Sequence, residues 1–100
     1  MPVDFRTPSI SIPTGTGRRT IPGSSTFNSR VIRAGVALNG FNLDFTGDVD
    51  RHINVVEADT DFVSITGNTV NFEVQCQYAD VNFDDPYGGY VTVLVVAEVA

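Results

Sequence analysis

The sequence predicts an all-β protein, a six-stranded antiparallel β-sandwich with an extended N-terminal arm. Three observations carry this. Val70 to Tyr78 alternates strictly, with Val70, Phe72, Val74, Cys76 and Tyr78 on one face and Asn71, Glu73, Gln75 and Gln77 on the other, the period of a strand that is half buried. Turn signals recur at short intervals, at Asn39-Gly40, Gly67-Asn68 and Asp84-Asp85-Pro86-Tyr87-Gly88-Gly89. No stretch carries a helical period of adequate length. A chain of 100 residues has room for one core and not two.

Taken in order, residues 1–24 form the arm. Pro2, Pro8, Pro13 and Pro22, with Gly15, Gly17 and Gly23, bar a long helix there. Ser9-Ile10-Ser11-Ile12 alternates, which suits a short edge strand. The arm is either a flexible tail or a segment packed on a neighbouring subunit, where Phe5, Ile10, Ile12 and Ile21 would be covered. The β domain spans 25–100. Its strands are expected at Val31–Leu38, Phe41–Phe45, Arg51–Ala58, Phe62–Thr66, Val70–Tyr78 and Tyr90–Val99. Asn39-Gly40 is read as a two-residue hairpin, Asp59-Thr60-Asp61 as a turn, and Gly47 to Asp50 as a loop. The last strand is apolar on both faces: Val91, Val93, Val95, Ala97 and Val99 on one, Tyr90, Leu94 and Val96 on the other. Such a strand must be covered twice, and a neighbouring subunit is the expected cover.

The formal net charge is −6 and every cation is an arginine. Five of the six (Arg6, Arg18, Arg19, Arg30, Arg33) lie within the first 33 residues beside one acid, Asp4, while Arg51 shares the remainder with eleven acids. Arm and body of opposite sign suit docking between subunits, weakened by salt. An acidic chain is a poor nucleic-acid partner. The longest apolar run, Val93 to Ala97, is too short to insert across a membrane. The opening MPVDFRTPSI has neither the basic nor the apolar region of a secretory signal. The expectation is therefore a cytoplasmic protein, one exported by another route, or one carried on a virus particle.

For chemistry the sequence offers little. Cys76 is the one cysteine, so no internal disulfide and no cysteine zinc set is available; its parity marks it as a core residue. His52 is the one histidine. Asp48/Asp50, Asp59/Asp61 and Asp80/Asp84/Asp85 fall in expected loops, but no D-x-D-x-D-G run for calcium is present, so they read as solvated turn acids. No catalytic constellation, cofactor or metal site is expected, and the protein is read as a non-enzyme. Arg51 can fork hydrogen bonds to neighbouring hydroxyls of a sugar, or simply pair with nearby aspartates. Tyr78, with Tyr87 and Tyr90, can offer a stacking face, or Tyr78 can continue the buried face of its strand.

Several stretches taken together resemble the H-type lectin family: Thr26-Phe27-Asn28 followed by VIRAGVALNGFNLD, then Asp50-Arg51-His52-Ile53-Asn54-Val55, then GNTVNFEVQCQYAD, then VTVLVVAEV. The resemblance implies a six-stranded sandwich assembled as a homotrimer, or a homohexamer of two trimers. It also implies shallow sites between subunits for galactose or N-acetylgalactosamine glycans. Arg51 stands where the family has its sugar-contacting arginine, and Tyr78 and Asp80 would complete the site from the next loop. The chain departs from the pattern in having no Trp, no His within Gln77–Asp80, and Val95 in place of the terminal Trp. The expected function is multivalent carbohydrate binding, with itself and glycans as partners. The alternative is a structural trimeric component of a phage or virus particle or appendage.

Overall fold

The computed structural model describes residues 2–46, 53–79 and 85–100. Seven strands fill it: β1 (Val3–Arg6), β2 (Ser9–Gly15), β3 (Arg19–Thr26), β4 (Val31–Phe45), β5 (Val55–Thr66), β6 (Thr69–Ala79) and β7 (Tyr87–Val99). Among the described residues there is no helix. They form two antiparallel sheets. In the first, β7 is central, with β4 along one side and β1 followed by β2 along the other. In the second, β6 lies between β3 and β5.

The alternation read in β6 places Val70, Phe72, Val74 and Cys76 in the core, all at most 1% exposed. From the first sheet, Val91, Val93, Val95 and Ala97 of β7 meet them, joined by Ile12, Leu43 and Tyr87. Burying these faces against each other at about 25 cal/mol per Å² of apolar surface is what holds the sheets together. At one end, Phe27 donates its N–H to Asn68 O (2.8 Å), and Asn68 Nδ2 returns a bond to Phe27 O (2.9 Å). The Arg6 guanidinium covers the Phe27 ring at 4.6 Å.

Among the described residues the strand count is seven, not six, and the difference has two sources. Two expected turns lie inside strands. Asn39-Gly40 does not reverse the chain: β4 runs through it as a bulge, with the register shifting between Leu38 and Gly40. Gly40 sits at φ 147°, a conformation glycine alone adopts easily. Asp59-Thr60-Asp61 likewise pairs in line with Gln75, Val74 and Glu73 of β6, so these acids stand on a strand and not in a turn. Gly88 and Gly89 are strand residues too. The second source is the arm. Residues expected as a separate extended segment are extended, but as β1, β2 and most of β3, paired with β7 and β6 of the same chain. Pro22 is accommodated because β3 is an edge strand.

Gly67-Asn68 is a genuine turn and joins β5 to β6. Gly67 has φ 63° with open space around it, so only backbone strain opposes a side chain there. Gly67→Ala is expected to cost about 1 kcal/mol, and Gly67→Asn less, because Asn tolerates the left-handed region; urea unfolding midpoints measure both.

The long strands lie along one axis. Fifteen residues of β4 at about 3.3 Å each span about 50 Å. The molecule measures 50 × 17 × 17 Å. Its radius of gyration, 15.5 Å, exceeds the ~13 Å of a compact chain of this length. It is a rod two sheets thick.

Candidate functional site

One end of the rod gathers four points of the chain. Thr46 donates to Pro86 O from both its N–H and its hydroxyl, each at 2.9 Å. Asn54 N–H donates to Ala79 O at 2.8 Å. Arg51 and Asp80, two of the three residues expected to hold a sugar, lie outside the described residues, as do His52, Asp48, Asp50 and Asp84. The third, Tyr78, is half buried at this end. Its ring lies 4.6 Å from that of Phe45, and the edge of Tyr87 approaches it at 6.4 Å. Tyr78 thus continues the inner face of β6 while keeping part of its ring open.

Below it, Tyr87 is fully buried. Its Oη lies 2.6 Å from Gly17 O and 3.1 Å from Cys76 O and accepts from Arg19 Nε at 3.3 Å. The Arg19 guanidinium stacks 4.3 Å above the same ring and donates to the carbonyls of Pro13 and Tyr87. Burial pushes the Tyr87 phenol above its ordinary pKa, with Arg19 opposing and Cys76 adding to the rise.

The outer faces of the two sheets differ. That of the second carries Glu57, Asp59, Asp61 and Glu73 beside Thr20, Ser24 and Asn71. Arg18 forks onto Glu57 at 2.8 and 3.1 Å. The bond to Glu57, helped by its charge and those of Asp59 and Asp61, raises the Arg18 pKa further. A cation of the N-terminal segment therefore docks on the acidic body within one chain.

The first sheet turns apolar side chains outward. Cross-strand register sets them in rows: Phe5–Val96–Gly35, Val3–Glu98–Arg33, then Leu94 beside Ala37 and Tyr90 between Ser11 and Asn42. Val3 is 68% and Phe5 62% exposed, and Tyr90 and Val96 are exposed as well. An open groove of about 420 Å³ runs here, lined by Val3, Arg33, Ala34, Gly35, Val96 and Glu98. Arg33 Nε bonds Glu98 Oε2 at 2.9 Å across the rim. The doubled apolar pattern of the last strand pointed to this face. Val3 and Phe5 were missed as part of it, because only the pairing of β1 with β7 brings them there.

Among the described residues, no group of three His, Cys, Asp or Glu is placed to hold a metal ion. No helix there is long and apolar enough to cross a membrane. No protein-family model, curated protein or solved structure matches the chain.

Proposed function

We propose that this chain is a non-enzymatic structural subunit, a β-sandwich rod that self-assembles through the outer face of its first sheet as a component of a larger particle or appendage. The observation that carries the reading is the exposed row of Phe5 and Val96 with Val3 beside it. A stable monomer rarely leaves such side chains together in water. A rod 50 Å long with one apolar and one acidic broad face has a side for its neighbours and a side for solvent. A homotrimer or homohexamer, the assemblies implied by the resemblance, gives each copy that cover. Light scattering at micromolar concentration tests this. The expected mass is a multiple of 10.8 kDa; a stable monomer overturns it.

A second reading is carbohydrate binding, and it rests on the end of the rod. The bonds Thr46–Pro86 and Asn54–Ala79 bring the segments that lead to Arg51 and Asp80 to the end that holds the part-open Tyr78 ring. A forked arginine and a carboxylate can bond sugar hydroxyls, and an aromatic face can pack against the ring. Repetition over the copies of an oligomer would multiply a weak affinity. Titration of the intact oligomer with galactose and N-acetylgalactosamine, with Arg51→Ala as control, tests this. Millimolar binding lost in the variant supports it, and no binding by the oligomer removes it.

A further inference from the structure

Resting on the self-assembling reading, we infer that the partner on the outer face of the first sheet is a second copy of this chain, related by a two-fold axis parallel to β7, with Phe5 of each copy seated over Gly35 of the other. The relief of the face is set by a cross-strand row. β1 and β4 flank β7 on opposite sides, and Phe5, Val96 and Gly35 stand in line across them. One side of the row is a projecting ring, 62% exposed. The other side is a residue without a side chain, with nothing within 4 Å of where a Cβ would stand. The same gradient continues along the face, where Leu94 projects beside Ala37. In these two rows the β1 and β7 side is a ridge, and the β4 side is a trough.

Only one simple face-to-face symmetry uses this relief. A two-fold axis running along β7 exchanges left and right of the face, so β1 of one copy lies over β4 of the other. Ridge then meets trough, Val96 meets Val96, and the contact is isologous. A two-fold axis across the strands sets Phe5 against Phe5 and leaves both troughs empty. In the first arrangement the 78%-exposed Arg33 lies over Val3 of the other copy, and Glu98 meets Glu98 at the axis, each carboxylate already bonded at 2.9 Å to Arg33 of its own chain. The size is adequate: three strands about 4.8 Å apart and thirteen residues long make a face of about 600 Å² per copy. Two such faces bury about 1,200 Å² in all, the lower end of specific interfaces.

The inference fixes the parity of the assembly. A dimer has this axis, and so has a hexamer of two trimers; a lone trimer does not.

Two experiments test it. In sedimentation equilibrium the wild-type protein is expected at an even multiple of 10.8 kDa. Phe5→Ala and Gly35→Leu are each expected to weaken that association at least tenfold while the β circular dichroism is unchanged, since the space over Gly35 is open within one chain. In the second experiment, the double variant Phe5→Cys/Gly35→Cys is mildly oxidised. Within one chain these positions are two strand spacings apart, about 9–10 Å, beyond disulfide reach, so a bond between them forms only across the interface. A covalent dimer from the double variant, and none from either single variant, supports the inference. An assembly that neither cross-links nor responds to Phe5→Ala and Gly35→Leu overturns the inference and leaves the self-assembling reading standing. A monomeric wild-type protein overturns both.

Discussion

Gly89→Ala is expected to unfold the protein or to leave it with a small fraction of its stability. Gly89 lies in β7 at φ 147°, where an L side chain is strained by about 1–3 kcal/mol. The added Cβ would stand 1.8 Å from Asn42 O and 2.8 Å from Asn42 C. Both are backbone atoms of the adjacent strand β4, tied into the ladder on either side by Asn42–Tyr90 and Leu43–Gly89, so neither can rotate away. Forcing the strands apart adds an overpacking cost of about 1–3 kcal/mol or more, against a total of about 5–15 kcal/mol for a domain. Urea unfolding followed by circular dichroism measures the loss. Gly40→Ala is the control: on the neighbouring strand, at the same φ of 147° but with open space around it, it carries the backbone strain without the overlap and is expected to lower the unfolding midpoint much less. Equal midpoints for the two variants would refute the account.

The second large effect is expected at Tyr87. Its hydroxyl is held inside the fold by the carbonyls of Gly17 and Cys76 and by Arg19, and so links the β2–β3 connection to β6 and β7. Tyr87→Phe keeps the ring under the Arg19 guanidinium but deletes that link, leaving buried acceptors without their donor, at about 1–3 kcal/mol at neutral pH. The pH dependence follows from the raised pKa, whose first cause is burial. Above the ordinary value of 10.0, the unfolded chain releases the phenol proton while the folded chain retains it. Ionisation therefore favours unfolding: the stability is present in full below pH 10 and falls as pH climbs toward the folded-state pKa. The wild-type protein is expected to lose stability more steeply than Tyr87→Phe as pH rises above 10, so the gap between their urea midpoints narrows. A gap that widens with pH would contradict the assignment.

Much of this could be read from the sequence where one face repeats without interruption. β6 alternates over nine residues, and its apolar positions are core positions; the inner face of β7 is equally plain. The misreadings came where local turn chemistry competes with a distant partner. Asn39-Gly40 is a strong hairpin dipeptide in isolation. Here β7 is long enough to pair with the chain on both sides of it, so the glycine makes a bulge within one ladder. Asp59 and Asp61 look like turn acids, yet β6 runs unbroken beside them. Pro2, Pro8, Pro13 and Pro22 hid β1, β3 and the far end of β2, because proline penalises central strands far more than edges; the short edge strand read at Ser9–Ile12 is the start of β2. Of the sugar-site expectation, Tyr78 is placed, half buried against Phe45, while Arg51 and Asp80 fall outside the described residues. The outer face of the first sheet was half legible: Leu94, Tyr90 and Val96 declare themselves within one strand, whereas Phe5 and Gly35 belong to the face only through their register with Val96.

The central place of β7 also orders events in time. β1, β2 and β4 hydrogen-bond in the first sheet to β7 alone, and Val3 pairs with Glu98 nearly the whole chain away. During synthesis the second sheet can close once β6 has emerged, but no ladder of the first sheet can begin until Tyr87–Val99 has left the ribosome. At about 5–20 residues per second, β1, β2 and β4 wait for seconds with their apolar residues uncovered. The first sheet can therefore form only after the second, since even its nearest ladder, Phe45 with Tyr87, closes a loop of about 40 residues.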